Sequence, residues 1–296
     1  MNALQEVGDR LVDALGPKVL LEAPLGALTT YRVGGCASVL VTAQTPEDLR
    51  CVGGLLAAVG SSGIELLVIG RGSNLLVADA GFHGVAVQLG DGLATIEVDG
   101  TRVHAGGAAP LPVVARRSVA AGLTGFEWAV GVPGTIGGAV RMNAGGHGSD
   151  MAASVLGVHI IDLRSGEDAQ MDPSQLDFGY RRSSLRPEQV VVECHLGLEV
   201  GDPAVGEDQL TEIVRWRREH QPGGANAGSV FTNPPGDSAG SLIDRAGLKG
   251  LRHGSAEVSD KHANFIQADA DGRADDIAAL MAEIRRRVVV STGVDL

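Results

Sequence analysis

The 296-residue chain contains few cysteines and few aromatic residues. Cys36, Cys51 and Cys194 are odd in number and show no CxxC spacing, so the sequence predicts neither a disulfide framework nor a zinc site. A reducing compartment, the cytoplasm, is the expected location. Aromatic residues make up only 3% of the chain, which disfavours a platform on which nucleic-acid bases stack.

Excess positive charge and long apolar runs are also absent. The 24 basic and 36 acidic residues give a net charge of −12, which argues against nucleic acid or an anionic membrane surface as the main partner. Residues 1–25 carry Glu6, Asp9, Arg10 and Asp13, so we expect no signal peptide there. No later stretch approaches the length of a membrane span, and no membrane partner is expected.

Glycine, in contrast, is abundant, and it is concentrated in residues 131–146 (GVPGTIGGAVRMNAGG). Because glycine has no Cβ, such a stretch lets the main chain approach a flat or charged ligand closely. Pro133 followed by Gly134 to Gly138 resembles a helix start whose free N–H groups could hold a phosphate. The alternative is a tight turn between sheet elements, and the sequence of this stretch alone does not decide between them.

Hydrophobic periodicity predicts alternating helices and strands. The predicted helices span residues 4–15, 46–59, 112–121, 209–218, 242–247 and 277–288. The predicted strands span residues 37–43, 64–69, 85–89, 95–98, 102–105, 155–163, 190–200 and 264–267, with another near Val258. Strand 37–43, helix 46–59 and strand 64–69 read as a βαβ unit, and residues 201–206 read as a linker.

A second glycine loop, Gly70 to Asn74, directly follows a predicted buried strand. It lacks the lysine of a Walker A loop and the third glycine of the dinucleotide fingerprint, which disfavours a plain nucleotide fold. Backbone N–H groups beside Ser73 and Asn74 nevertheless suit a diphosphate. Glycine segments on two successive modules, followed by a third module, predict a dinucleotide-sized cofactor between the first two.

Six segments, in order along the chain, resemble the UDP-N-acetylenolpyruvoylglucosamine reductase family. They are residues 29–35 (TTYRVGG), 70–76 (GRGSNLL), 131–139 (GVPGTIGGA) with 142–145 (MNAG), 178–181 (FGYR), 227–231 (AGSVF) with 233–234 (NP), and 261–266 (KHANFI). The resemblance runs from about Leu25 to the C-terminus. The short interval between Asn233 and Ser241 is similar to the shorter subtype of the family.

This resemblance implies an α+β chain with an FAD-binding fold of the vanillyl-alcohol-oxidase (PCMH) type. Residues 1–90 would form an N-terminal helix and the first FAD subdomain, residues 91–203 the second, and residues 204–296 a substrate-binding domain. NADPH would reduce the flavin and leave. N5 of the flavin would then give hydride to the vinyl carbon of UDP-N-acetylglucosamine enolpyruvate, and a proton would reach the adjacent carbon, producing UDP-N-acetylmuramate for peptidoglycan synthesis.

The same resemblance assigns site residues. Tyr180, His220 and Asn233 would contact the substrate, and Arg181 and Ser229 would be catalytic. The implied FAD contacts are Gly70, Arg71, Gly72, Ser73, Asn74, Leu75, Val132, Pro133, Gly134, Ile136, Gly137, Gly138, Asn143 and Gly145. No metal is expected, because the eight histidines show no HxxxH pairing. His262 is interpreted as structural, and a monomer is favoured.

Physical requirements agree with the two catalytic assignments. Hydride addition to an enol ether carboxylate builds negative charge, which a fixed guanidinium such as that of Arg181 stabilises. Ser229 would donate the proton to a strongly basic carbanion. The simpler interpretations are a solvated strand-edge charge for Arg181, a turn or cap serine for Ser229, a turn asparagine for Asn233 and a buried aromatic for Tyr180.

The sequence also departs from the family pattern. The family has a catalytic glutamate in a strand past the last helix, whereas residues 293–296 match only the start of that strand, so a truncated chain is the expectation. His220 and Thr232 stand where lysines are common. Two alternatives therefore stay open at this point: another flavin oxidoreductase of the same fold acting on a hydroxy acid, and a flavin or nucleotide-sugar binder without turnover.

Overall fold

The computed structural model describes residues 3–60 and 63–296, which form two compact units. The first unit contains residues 3–23, 37–60, 63–70 and 83–215, and the second contains residues 24–36, 71–82 and 216–296. Across these described residues, no helix has both the length and the hydrophobicity needed to cross a membrane. The division into three modules with boundaries at residues 90 and 203 stays a prediction.

The N-terminal part of the first unit packs two helices with a four-stranded sheet. Its elements are α1 (Ala3–Leu15), β1 (Val19–Pro24), β2 (Cys36–Ala43), α2 (Pro46–Val59), β3 (Glu65–Ile69) and β4 (Phe82–Leu89). The strand order is β1-β2-β4-β3, and β3 pairs with β4 in parallel. The chain follows the predicted order of strand, helix and strand through β2, α2 and β3, and β4 lies between the two strands in the sheet.

A five-stranded sheet forms the rest of the first unit. The elements are β5 (Ile96–Asp99), β6 (Arg102–Gly106), α3 (Leu111–Ala120), β7 (Leu123–Thr124), α4 (Ile136–Met142), β8 (Gly145–Gly146), β9 (Ser149–Asp150), β10 (Val155–Asp162), β11 (Asp168–Met171), β12 (Gln189–Gly197), β13 (Glu199–Val200) and α5 (Pro203–His220), of which residues 216–220 belong to the second unit. The order is β11-β10-β12-β6-β5, and every pairing is antiparallel. Two short pairs, β7 with β13 and β8 with β9, complete it.

Two hydrophobic cores hold these sheets. Val7 and Leu49, from α1 and α2, pack with Val41 and Val85 of the first sheet. Val114, from α3, packs with Val158 and Cys194 of the second sheet, and Ile136 of α4 joins them. Each of these side chains is fully buried, so the alternation seen in the sequence reports burial on one face of each strand.

The elements of the second unit pack around a separate hydrophobic core. Its remaining elements are α6 (Ala239–Arg245), β14 (Arg252–His253), β15 (Ala256–Val258), β16 (Ile266–Ala268) and α7 (Ala274–Thr292), with strand order β14-β15-β16. Ile277, Leu280 and Ile284 of α7 pack in one core with Leu242 and Val258, as the helical spacing predicts.

Two local predictions are wrong. Residues 203–206 of the predicted linker lie in α5, because the Asp202 carboxylate accepts the Ala204 N–H at 2.8 Å and Pro203 suits the first helical turn. Residues 293–296 do not begin a strand. Gly293, with a φ of 74°, ends α7, and Val294 and Leu296 pack against the core of the second unit.

Candidate active site

A cavity of about 170 Å³ lies in the first unit, where three glycine-bearing or polar segments meet. Gly70 borders it at the end of β3, and Gly137 and Gly138 border it from α4. The remaining lining residues are Leu66, Leu67, Val68, Leu89, Thr135, Arg141, Pro187, Gln189, Val190 and Val191. Typical ligand pockets measure roughly 300–1,000 Å³, so this cavity is smaller than a site for a whole dinucleotide.

The glycines at this cavity have different reasons to be glycine. A Cβ on Gly70 would lie 2.6 Å from Thr135 Oγ1, and one on Gly137 would lie 3.1 Å from the Gly107 carbonyl oxygen. These two positions are glycine because the protein itself packs closely there. A Cβ on Gly138 would meet only Thr135 Oγ1, at 3.6 Å, so the protein leaves the space beside this residue free. That free space fits a bound molecule.

The expected helix start is confirmed, but three of its N–H groups already donate hydrogen bonds within the protein. Thr135 is the N-cap of α4, and its Oγ1 accepts the Gly138 N–H at 3.4 Å. The Ile136 and Gly137 N–H groups donate to the carbonyl oxygens of Ala109 and Gly107, both at 2.9 Å. The hypothesis that these particular N–H groups hold a phosphate is therefore wrong. Close backbone approach at Gly138 is what the stretch offers instead.

Arg141 is a cavity residue that was not among the predicted site residues. It lies in the last turn of α4, borders the cavity, and donates from its guanidinium to the Leu185 carbonyl oxygen. A guanidinium beside a cavity can pair with a phosphate in a bidentate manner. Its position inside the glycine-rich stretch was the available signal, since that stretch contains no other cation.

The Gly70 to Asn74 loop continues into the second unit, where it packs against the Thr29 to Gly35 motif. Gly72 has a φ of 59°, and a Cβ there would lie 2.2 Å from the Leu28 carbonyl oxygen. The Thr30 N–H donates to the Gly72 carbonyl oxygen at 3.2 Å. Arg71 and Asn74 are exposed. Two motifs that are separate in the sequence thus form one loop structure with two exposed polar side chains.

Arg181 lies at the tip of a tight turn in the first unit. Gly179 and Arg182 exchange two backbone hydrogen bonds of 3.0 and 3.1 Å across this turn, and Arg181 has a φ of 56°. Its guanidinium donates to the Gly145 carbonyl oxygen at 2.8 Å and to that of Asn143 at 3.4 Å. It also lies 5.1 Å from the ring centroid of Tyr180. The sequence did not predict these contacts of Arg181, although the two residues that form each contact were both among the predicted site residues.

Tyr180 and Asn143 differ from each other in exposure. Tyr180 is 60% exposed, so the interpretation as a buried aromatic is wrong. Asn143 is buried, with a φ of 39°, and its amide donates to Asp150 Oδ2 at 3.1 Å and to the Gly179 carbonyl oxygen at 3.0 Å. Its Oδ1 accepts the Ala152 N–H at 3.0 Å. The side chain of Asn143 is thus committed to the protein, and its contact with FAD stays a prediction.

Ser229 lies in an exposed loop of the second unit that is held on both sides. The Gly228 N–H donates to Asn226 Oδ1 at 3.0 Å, and the Val230 N–H donates to the Asn264 carbonyl oxygen at 2.9 Å. The buried Asn264 side chain also exchanges two hydrogen bonds with the Phe231 backbone, at 2.9 and 2.8 Å. Asn264 therefore anchors the loop that presents the Ser229 hydroxyl. The sequence contained this residue in a motif but gave no reason for it.

The other two residues predicted to contact substrate also lie in the second unit. Asn233 Oδ1 accepts the Ala239 N–H at 3.0 Å and so helps to start α6. His220 ends α5, donates from Nδ1 to the Trp216 carbonyl oxygen at 2.8 Å, and stacks on the Trp216 ring with centroids 4.7 Å apart. Because an oxygen accepts, Nδ1 carries the proton. Their contacts with substrate stay predictions.

Burial disfavours the charged form of two groups near the Ser229 loop. Burial raises the pKa of Tyr31 to about 12, so this phenol is neutral at ordinary pH. Burial also lowers the pKa of His262, and its Nδ1 accepts the Asn264 N–H at 3.2 Å. His262 packs edge-on against Phe265, with ring centroids 4.8 Å apart. These contacts agree with a structural role for His262.

Two protein families match the chain. The FAD binding domain family matches residues 37–169, and the family described as UDP-N-acetylenolpyruvoylglucosamine reductase, C-terminal domain, matches residues 220–296. Together these segments contain Gly70, Gly138, Ser229 and Asn264. The glycine-lined cavity thus lies largely in the part of the chain that matches an FAD-binding domain.

Two whole proteins are similar to this chain over almost its full length. The UDP-N-acetylenolpyruvoylglucosamine reductase of Heliobacterium modesticaldum is 41% identical over 278 residues, covering 93% of this chain and 87% of the relative. That of Bacillus subtilis strain 168 is 37% identical over 298 residues, covering 100% of this chain and 96% of the relative. Both relatives therefore share the first and the second unit.

Solved structures confirm the predicted fold. The crystal structure of UDP-N-acetylenolpyruvylglucosamine reductase from Thermus caldophilus matches with a TM-score of 0.79 and 36% identity, covering 94% of this chain and 96% of that chain. The glucose dehydrogenase Phl p 4.0202 matches with a TM-score of 0.51 and 15% identity over 73% of this chain and 50% of that chain, and so shares the fold alone. The chain has the FAD-binding fold of the vanillyl-alcohol-oxidase type and belongs to the UDP-N-acetylenolpyruvoylglucosamine reductase family.

Proposed function

We propose that this FAD-dependent reductase converts UDP-N-acetylglucosamine enolpyruvate to UDP-N-acetylmuramate, with NADPH as the source of electrons. The observation that carries the proposal is the 41% identity to the Heliobacterium reductase along 93% of the chain. The product is a precursor of peptidoglycan. The hydroxy-acid oxidoreductase considered from the sequence has no comparable support, because the matching glucose dehydrogenase is only 15% identical.

The cavity in the first unit would hold one end of FAD. Gly138 leaves space for it, the guanidinium of Arg141 lies at the cavity edge for a phosphate, and Leu66 and Val190 supply an apolar wall. The predicted contacts of Arg71 and Asn74 in the second unit would serve another part of the cofactor, since both side chains are exposed. Bound FAD supplies the hydride that is added to the vinyl carbon of the substrate.

Arg181 would stabilise the charge that develops on the substrate. Hydride addition places negative charge on the α-carbon and the carboxylate, and a guanidinium can hold such a carboxylate with two parallel hydrogen bonds. The hydrogen bonds to Gly145 and Asn143 fix the guanidinium before substrate arrives. A donor that is already oriented loses little free energy to reorganisation during the reaction.

Ser229 would donate the proton that completes the reaction. A serine hydroxyl is a weak acid, so it acts only where the acceptor carbon is strongly basic and the proton is already in place. The hydrogen bonds of Asn226 and Asn264 to the neighbouring backbone limit the positions that this hydroxyl can take. The serine oxygen would afterwards regain its proton from solvent, to which Ser229 is exposed.

A two-step anaerobic experiment tests the proposal. The purified flavoprotein is first reduced with NADPH and then mixed with UDP-N-acetylglucosamine enolpyruvate, and flavin absorbance is followed. We expect rapid reoxidation, with one UDP-N-acetylmuramate formed per flavin. UDP-N-acetylglucosamine is the matched control, because it lacks the vinyl ether and should leave the flavin reduced. Equal reoxidation with both sugars, or protein purified without any flavin affinity, would reject the proposal.

We also propose that the protein is a cytoplasmic monomer that acts on small molecules and binds neither nucleic acid nor membranes. The net charge of −12 supports the absence of polyanionic partners. The three free cysteines, Cys36, Cys51 and Cys194, are compatible with a reducing compartment. Light scattering on the eluted peak of a gel-filtration column tests the monomer, since a mass of twice 30.3 kDa would contradict it.

A further inference from the structure

Three potential metal ligands lie on one face of the five-stranded sheet of the first unit. Glu193 and His195 are two residues apart on β12, so their side chains point to the same face. His104 on β6 is directly opposite His195 in the antiparallel register. None of the three residues is among those assigned to flavin or substrate.

The reactive atoms of these side chains are close together. One ligand atom from each of His104, Glu193 and His195 lies within 4.8 Å of the other two. His195 Nε2 is 3.1 Å from Glu193 Oε2, and the two imidazole rings have centroids 4.5 Å apart. Around a metal with ligand bonds of about 2.0–2.2 Å, neighbouring ligand atoms are roughly 3–3.6 Å apart. Small rotations of the side chains would reach this geometry.

We propose that His104, Glu193 and His195 form a binding site for a divalent transition-metal ion of the zinc, cobalt or nickel class. Two imidazole nitrogens and one carboxylate oxygen suit these ions, whereas Ca²⁺ and Mg²⁺ prefer oxygen ligands only. Three protein ligands leave one or more positions for water. The metal would join β6 to β12, and so would hold the centre of the sheet.

The surroundings favour binding at this place. Cys194 and Leu196, which alternate with the ligands along β12, are buried in the core and fix the strand. The side chains of His195 and Glu193 are 36% and 40% exposed, so an ion can reach them from solvent. Opposite His195 on β10 is Gly157, which has no side chain to cover it. The net charge of −12 also attracts cations.

Two other titratable residues, Glu97 and His159, lie on the same face of the sheet. Glu97 on β5 is opposite His104 and offers a carboxylate that could orient this imidazole. His159 on β10 is opposite Glu193, but its Nε2 lies 2.5 Å from Asp168 Oδ1. His159 is thus engaged with another partner, although it is on the same face. It provides a matched control for the three proposed ligands.

The test measures metal binding and does not require activity. FAD-loaded protein is stripped with a chelator and titrated with Zn²⁺ and Co²⁺ by calorimetry, with Mg²⁺ and Ca²⁺ as comparison ions. We expect one Zn²⁺ and one Co²⁺ per chain and no binding of Mg²⁺ or Ca²⁺ at equal concentration. His104→Ala, Glu193→Gln and His195→Ala should each weaken Zn²⁺ binding at least roughly 10–100-fold, while His159→Ala should leave it unchanged.

Several results would overturn the proposal. These are the absence of saturable Zn²⁺ binding, binding that persists unchanged in His195→Ala, and an equal loss in His159→Ala. The melting temperature of each metal-free variant is measured first, so that a folding defect is recognised. Glu193→Gln keeps the size and shape of the side chain, and a loss of binding in this variant at an unchanged melting temperature supports the site.

Discussion

The guanidinium of Arg181 donates a 2.8 Å hydrogen bond to the carbonyl oxygen of Gly145. This bond joins the proposed charge-stabilising residue to the glycine-rich stretch, 36 residues earlier in the chain. A residue with a left-handed backbone, at the tip of a two-residue turn, would otherwise have many side-chain orientations. The glycine stretch therefore has a second task beside bordering the cavity, which is to hold Arg181.

Arg181→Lys should impair the second half-reaction specifically. A lysine ammonium keeps the charge but cannot donate simultaneously in two parallel bonds to a carboxylate. We expect reduction of the flavin by NADPH to be unchanged and its reoxidation by the enolpyruvyl sugar to slow by about 10²–10³-fold. Stopped-flow measurements of the two steps check this. An equal slowing of both steps would contradict the proposed role.

Asn143→Ala should destabilise the first unit as well as misplace Arg181. The substitution removes the amide that bonds to Asp150 and Gly179 and places alanine at a φ of 39°. We expect a loss of about 1–3 kcal/mol in the free energy of unfolding. Asn143→Gly separates the two causes, because glycine adopts positive φ freely and lacks only the side chain. A stability equal to that of the unchanged protein in both variants would contradict the structural role of the amide.

Gly138→Ala and Gly137→Ala should differ in a way that identifies the cavity. A Cβ on Gly138 has room in the protein, and alanine favours a helix over glycine by about 1 kcal/mol, so the apoprotein should be as stable or more stable. Its affinity for FAD should fall, because the methyl group enters space proposed for the cofactor. Gly137→Ala, with 3.1 Å to the Gly107 carbonyl oxygen, should lower apoprotein stability instead.

Calorimetric FAD titration and thermal unfolding of the apoprotein distinguish these outcomes. If Gly138→Ala binds FAD as tightly as the unchanged protein, the space beside this residue does not receive the cofactor. Weak FAD binding by an apoprotein that melts at a lower temperature would indicate a folding defect and not a blocked site.

The sequence predicted those features that depend on neighbours along the chain. The apolar spacing of Ile277, Leu280 and Ile284 is a local pattern, and it placed α7 correctly because one buried face decides the helix. The linker prediction failed at Pro203 for a local reason too. Gly, Asp and Pro favour both loops and helix starts, and only the bond from Ala204 to Asp202 distinguishes them.

Features that depend on distant residues could not be read from the sequence. Asn264 bonds to the Phe231 backbone from 33 positions away, and no periodicity marks such a contact. His104 lies opposite His195 because of the register in which β6 pairs with β12. The spacing of residues along one strand does not specify this register. The N–H groups of Ile136 and Gly137 likewise donate to the carbonyl oxygens of Ala109 and Gly107. These acceptors lie outside the helix start, so its local sequence does not indicate them.

Ser229→Ala, like Arg181→Lys, should slow the second half-reaction and leave the first unchanged. The cause differs, because this change removes the proposed proton donor. Loss of the proposed proton donor should slow the reaction with the enolpyruvyl sugar by roughly 10²–10⁴-fold, with normal reduction by NADPH. Ser229 is exposed, so the melting temperature should not change. Ser241→Ala, which removes a half-buried serine of α6 in the same unit, is a control that should retain full activity.

Asn264→Ala should act on the Ser229 loop without touching the reacting atoms. The change removes both side-chain hydrogen bonds to the partly buried Phe231 backbone, at a cost of about 1–3 kcal/mol. Reoxidation by substrate should slow while NADPH still reduces the flavin. Asn226→Ala removes the bond to Gly228 on the other side of Ser229 and should slow the same step. A change confined to stability in both variants would show that the loop position is not limiting.

Acid should unfold the first unit partly by protonating Asp48. Burial disfavours the charged form of this carboxylate, but hydrogen bonds from Lys18 and from the Gln44 and Thr45 N–H groups outweigh it, so the pKa is lowered. A lowered pKa in the folded state means that the carboxylate stabilises the fold above the unfolded-state pKa of about 3.9. That stability is lost as the pH falls through the lower pKa of the folded state.

Asp48→Asn should therefore cost about 2 kcal/mol of unfolding free energy at neutral pH, and the difference from the unchanged protein should shrink as the pH falls below about 3.9. Urea unfolding of the apoprotein at a series of pH values measures this difference. Glu47→Gln is the matched control, because Glu47 precedes Asp48 in the same turn but its side chain is 74% exposed, so its removal should change little. A cost for Asp48→Asn that stays constant down to acid pH would mean that the amide loses packing or capping geometry, and that the charge of Asp48 does not stabilise α2.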